Sequence, residues 1–264
     1  MRRLLALLAT GAVASLAIAG LAQAAKVTVV HGVPDLAVDV YVNDELTLED
    51  FKYETITDPL DLPAGTYKID IRAAGDPATA KPALSGSATV ADDTNASIVA
   101  HLDESGKPTL TVFVNDTSTV KAGDARLTVR HTAAAPAVDV LANGSPLFTN
   151  LANPDEQSAD VAAGTYSAAV AATGTTEPVI GPVDLDLEAG TGYTVYAVGS
   201  LADDNLKVIV QTTSGLGGSP SGVPSGTVGL AATSSAFPLW AIVLLSAAGI
   251  GIVTSGLALA RTRR

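Results

Sequence analysis

Three histidines, His31, His101 and His131, are the only side chains of this sequence whose unperturbed titration falls near neutral pH. His31 and His131 stand 100 residues apart, each closing an apolar run just before a loop. An imidazole there could act as a base, a ligand or a pH sensor. We read both as bonding loop backbone and fixing a turn. His101 is matched in the second half by Val198, so it lies outside the common plan. No serine sits in a G-x-S-x-G elbow, and neither H-E-x-x-H nor a glycine-rich phosphate loop occurs. With 0 cysteines there is no disulfide, thiol nucleophile or zinc-thiolate site. We therefore assign no catalytic, cofactor-binding or metal-ligating residue, and expect no cofactor.

Carboxylates are plentiful but dispersed. Asp39 and Asp139 alternate with core-facing valines, so they point outward or bond a neighbouring turn. Asp92-Asp93-Thr94-Asn95 and Asp203-Asp204-Asn205 could offer oxygens to calcium. Neither matches the D-x-[DN]-x-[DN]-G-x₅-E loop, and both suit turns. Asn95, Asn115 and Asn143 open N-x-S/T triplets, a chance expectation in a chain rich in Ser and Thr. Tyr67 and Tyr166, each following Ala-Gly-Thr, fit a tyrosine corner, in which the hydroxyl bonds backward to main chain; the alternative is a stacking platform for sugar.

The elements that must carry these residues follow from composition. The chain has 264 residues, 47% hydrophobic, 16% charged, with a net charge of -12. That acidity argues against a nucleic-acid partner, which needs a basic patch. Arg2 and Arg3, an uncharged run from Leu4 to Leu21, and Ala22-Gln23-Ala24 read as a signal peptide over residues 1–24, with an uncleaved anchor as the alternative. Phe237 to Ala260 holds no charge in 24 residues, enough for a transmembrane helix of about 36 Å. Arg261, Arg263 and Arg264 place the short tail 261–264 in the cytoplasm. No LPxTG-type motif precedes the helix, so it is read as staying in the membrane. The Gly/Ser/Pro-rich stretch 213–236 between body and anchor reads as a flexible linker of about 27 Å r.m.s. span. Setting aside the five arginines of the two ends leaves 10 Lys+Arg against 27 Asp+Glu, so the exported body carries -17.

That body is a duplication. Val38-Asp39-Val40 matches Val138-Asp139-Val140 at an offset of 100, and Ala64 to Tyr67 matches Ala163 to Tyr166 at 99. Short Val/Ile/Thr/Tyr runs separated by Gly, Pro, Asn and Asp predict an all-β fold. In the first copy they are Lys26–Val30, Val38–Val42, Ile56–Leu62, Thr66–Arg72, Ala83–Val90, Ala96–Leu102 and Leu110–Asn115. Seven strands in about 90 residues predict an immunoglobulin-like β-sandwich. The expected domains are residues 25–120 and 121–212, joined near Thr117–Asp124.

The run VVHGVPDLAVDVYVND, followed by LPAGTYKIDIRAAG, resembles the bacterial family catalogued as domain of unknown function 4397. The resemblance rests on Pro34, Val38 to Asn43 and Leu62 to Tyr67. The second copy departs from it, with Leu141 for Tyr41 and Val161-Ala162 before the corner. It implies exported or surface-attached proteins with β-sandwich repeats, and no activity.

The function expected is a non-enzymatic, single-pass cell-surface protein of the cell membrane, with its ectodomain outside. It would serve as an adhesion or interaction module or an envelope spacer. Its partners would be the membrane, through the C-terminal helix, and an envelope polymer or surface protein. A carbohydrate- or cell-wall-binding module is the alternative, disfavoured because Trp240, in the membrane segment, is the one tryptophan. A weaker alternative is a hydrolase with a site between the repeats, requiring His31 or His101 beside carboxylates in a cleft.

Overall fold

The computed structural model describes residues 23–218, all within one compact unit. Residues 1–22 of the expected signal peptide 1–24, residues 219–236 of the expected linker 213–236, the expected transmembrane helix 237–260 and the expected tail 261–264 lie outside the described residues. Within them every regular element is a strand, and no helix is long and apolar enough to cross a membrane.

The first repeat runs β1 (Ala25–His31), β2 (Val38–Val42), β3 (Glu45–Phe51), β4 (Thr55–Ile56), β5 (Leu60–Leu62), β6 (Gly65–Ala73), β7 (Leu84–Val90), β8 (Asn95–Leu102) and β9 (Pro108–Val114). The second runs β10 (Asp124–His131), β11 (Val138–Ala142), β12 (Ser145–Leu151), β13 (Glu156–Ala162), β14 (Gly164–Ala172), β15 (Pro178–Leu187), β16 (Gly192–Val198) and β17 (Lys207–Thr213). The fold is all-β, as the alternation predicts.

Each repeat makes two sheets. Sheet I is β3-β2-β6-β7 and sheet II is β4-β1-β8-β9, with β5 also on β1. Sheet III is β13-β10-β16-β17 and sheet IV is β12-β11-β14-β15. β1 and β8 run parallel, as do β10 and β16; all other pairings are antiparallel. Inward residues of I and II, among them Val27, Val40, Ile71 and Ile98, form one core. Leu127, Val140, Phe148 and Tyr193 belong to the core between III and IV. The period-two alternation of each strand places one face in such a core.

Two details differ from the sequence expectation. β3 is an unexpected strand: Glu45, Glu49 and Asp50 break its apolar pattern, yet Asn43 and Asp44, both at positive φ, make the tight hairpin that returns it along β2. The run Ile56–Leu62 is two short strands, interrupted ahead of Pro59, because proline cannot donate to a ladder. Its counterpart β13 carries no proline and pairs with β10 over its whole length.

The chain between β9 and β10 spans residues 115–123. Leu216, inside the expected linker, is buried, and its backbone bonds Gly190 and Val120.

Candidate functional site

His31 and His131 close β1 and β10 with the side chain turned inward. The Nε2–H of His31 donates to the Leu36 carbonyl at 2.8 Å, and Nδ1 accepts from the Val33 N–H at 3.4 Å. His131 repeats this with the Pro136 carbonyl at 3.0 Å and the Ala133 N–H at 3.4 Å. A carbonyl only accepts, so both imidazoles carry their proton on Nε2. Both are 1% exposed, and burial lowers each pKa from its ordinary value. His101 is also buried, with Nδ1 against the Leu102 carbonyl and Nε2 against Thr111 Oγ1, both at 2.8 Å. Its pKa too is lowered, first by burial. All three rings have both nitrogens engaged, which holds two loops and the end of β8 in place.

The other repeated polar residues act in the same local way. Asp39 accepts from the N–H groups of Asp50 and Gly75, and Asp139 from those of Asn150 and Gly174. Asp50 and Asn150 sit at φ of 50° and 54°, so the carboxylate ties down a left-handed residue. The two N–H donors hold the Asp139 carboxyl below the usual carboxylate range. Tyr67 donates to the Pro63 carbonyl at 2.6 Å and Tyr166 to that of Ala162 at 2.8 Å, each four residues back. Among the described residues, no group of three or more His, Asp or Glu could hold a metal ion.

One feature joins the two repeats. The outer faces of sheets II and III meet in a third core of Val30, Val99, Phe113, Tyr196, Val198 and Ile209. Gly32 marks how close they come, since a Cβ there would lie 2.7 Å from Val198 Cγ1. A polar network runs alongside. Tyr196 donates to Gln211 Oε1 at 2.6 Å, and Ser97 to the same oxygen at 3.0 Å. The guanidinium of Arg130 donates to Glu156 at 2.7 Å, to the Tyr196 hydroxyl at 2.8 Å and to Asn115 Oδ1 at 2.8 Å. It also lies 4.4 Å above the Phe113 ring, a cation–π contact across the junction. Asn115 passes the network to Asn95 at 2.6 Å, so two of the three N-x-S/T asparagines are structural here.

A second feature belongs to the first repeat alone. Between sheets I and II lies a cavity of about 240 Å³. Its walls are aliphatic, Phe51 and His31 stack at one side (centroids 5.8 Å apart), and exposed Asn43, Glu45 and Thr47 mark its mouth by the β2–β3 hairpin. The corresponding space of the second repeat is largely filled. At equivalent registers Val27, Leu48, Ala88 and Ala96 are replaced by Leu127, Phe148, Leu185 and Tyr193. What remains there is a smaller space of about 90 Å³, lined by Leu127, Val140, Ala168 and Val195 where the first repeat has Val27, Val40, Ile69 and Ile98.

A family model described as "Domain of unknown function (DUF4397)" matches residues 25–141 and 132–220. The chain belongs to that family. No curated protein matches it. The two DUF4397 matches together span both histidine loops, both Asp39/Asp139 clamps and both tyrosine corners.

Sequence reading singled out the repeated residues of the DUF4397 pattern and missed those that differ between copies. Arg130, Ser97 and Gln211 give no sign of a shared network in the sequence, because alternate polar positions on a strand read as solvent-facing, and Tyr196 reads as packing alone. The one available signal was the mismatch itself: Arg130 stands where the first copy has Val30, and Tyr196 where it has Val99.

Proposed function

We propose that this chain is a non-enzymatic cell-surface protein: two immunoglobulin-like sandwiches, exported by a signal peptide and anchored by a C-terminal transmembrane helix. It serves as an adhesion or interaction module or a spacer in the envelope. The observation that carries this reading is the junction between sheets II and III, where an apolar core and a buried polar network unite the repeats into one stiff body. A spacer or display module needs a fixed separation between its ends, and side chains ordered by packing and by a buried hydrogen-bond network supply it. The engaged, buried histidines support the non-enzymatic reading, because a general base must reach a substrate proton. The body's charge of -17, counted after setting aside the five terminal arginines, favours solubility and repels anionic polymers.

The test is proximity labelling on intact cells with the labelling enzyme fused to this chain, followed by pull-down of the neighbours with the purified protein. Enrichment of surface proteins or envelope polymers is expected. Turnover of a glycan, peptide or ester by the protein, lost on changing His31 or His131, would sink the proposal.

A further inference from the structure

The cavity in the first repeat is larger than a packing flaw. Protein interiors pack like organic crystals, with few voids larger than a water molecule. A cavity of roughly 150 Å³ lined by Leu, Ile and Phe stays dry and takes up benzene. Here about 240 Å³ is bounded by aliphatic side chains, with Ile69 and Ile98 on opposite sheets. Its one deep polar group, His31, already has both nitrogens engaged, so nothing within calls for a charged or hydrogen-bonding guest. Exposed Asn43, Glu45 and Thr47 line the same space, so it reaches solvent beside the hairpin. In the second repeat that seam is shut. β13 is continuous, Leu147 replaces Thr47, and the Gln157 amide donates across to the Thr149 carbonyl at 3.0 Å.

We propose that the first repeat is a binding site for an uncharged hydrocarbon, which enters end-on between β3 and β5 and lies between Ile69 and Ile98. The driving force is apolar burial together with the dispersion contacts that an empty cavity forgoes. A polar head, where the guest has one, stays at the mouth with Asn43, Glu45 and Thr47. The acidic Glu45 disfavours an anionic head. This site is independent of the proposed surface role, and its failure would leave that role standing.

The experiment is methyl NMR of the full chain, labelled at Val, Leu and Ile and held in lipid discs, with xenon and with n-hexane as probes. Both probes are expected to shift Ile69 and Ile98 and to leave Leu151 and Val161 of the second repeat's core in place. Discs whose lipid carries a nitroxide at the acyl end separate the sources. Broadening of Ile69 and Ile98 there identifies a lipid tail as the guest, and hexane shifts without broadening identify a free hydrocarbon. The double variant V27L/L48F fills the space with the second repeat's own side chains and should abolish the shifts; V27L alone, a milder change, should weaken binding severalfold. Silence of Ile69 and Ile98 toward both probes overturns the proposal, as do shifts that persist unchanged in both variants.

Discussion

The two repeats share a backbone plan and differ in what they do with it. On their outer faces, corresponding positions have diverged into complementary halves of one junction. The first repeat brings Val30, Val99 and Phe113; the second brings Arg130, Tyr196 and Gln211 at the same registers. Had both faces kept one set, two guanidiniums or two apolar patches would have met. On their inner faces the second repeat is more fully packed, with Leu127, Phe148 and Tyr193 in its core, and the first holds the larger open space. Duplication thus supplied the ladders and loops twice, and divergence assigned one copy to close packing and the other to an accessible interior.

The comparison breaks most readily at Arg130. Arg130→Ala removes a guanidinium that is 1% exposed and has three partners, whereas Glu156 is 38% exposed and can turn to water. We expect a loss of about 3 kcal/mol, the low end for breaking a buried pair. In urea, the single transition of the joined repeats should split into two. A full-strength single transition in the variant would show that the apolar core alone unites them.

Exchanging the inner faces comes next. L127V/F148L gives the second repeat the first one's residues and should cost about 2 kcal/mol, from two moderate truncations of buried side chains. The reciprocal V27L/L48F should stabilise by about 1 kcal/mol, because it adds carbon to vacant space. Equal losses in both directions would mean that the first interior is already full.

Acid should act on both repeats through three imidazoles. His31, His101 and His131 have folded pKa values lowered from 6.5, chiefly by burial. The unfolded chain binds these protons first, so their contribution is complete above about pH 6.5 and is lost as pH falls through the folded values. Urea midpoints should therefore drop between about pH 7 and pH 5. His101→Val, which copies Val198, should flatten that slope; an unchanged slope would exclude His101 as one of the groups responsible.

The smallest effect is also the most symmetrical. Tyr67→Phe and Tyr166→Phe each delete one hydroxyl bond to main chain at a half-exposed corner. We expect about 0.5–1 kcal/mol from each. A clearly larger loss at Tyr67, which also lines the cavity, would show that its ring supports the first interior as well as the corner.

Much of the fold was legible because it is local. The alternation in Val38–Val42 and Val138–Ala142, the Ala-Gly-Thr-Tyr corners and the histidine loops each rest on a few neighbouring residues. β3 was missed because its acids mask the period, although Asn43-Asp44 and Asn143-Gly144 are hairpin signals that could have found it and β12. The candidate site was not legible. Thr28, Ser97 and Gln211 look like ordinary outward positions until another sheet covers them.

By itself, then, the sequence determined an all-β duplication, its membership of the DUF4397 family and the loops that its repeated His, Asp and Tyr residues hold. Only the tertiary structure decided which outer faces meet and which interior is left open. A strand face of Thr, Ser and Val suits water and a neighbouring sheet alike, so its fate depends on what arrives opposite. A cavity is a sum of volumes over strands distant in sequence, and Val27 and Leu48 acquire a shared shortfall only once the sheets close over them.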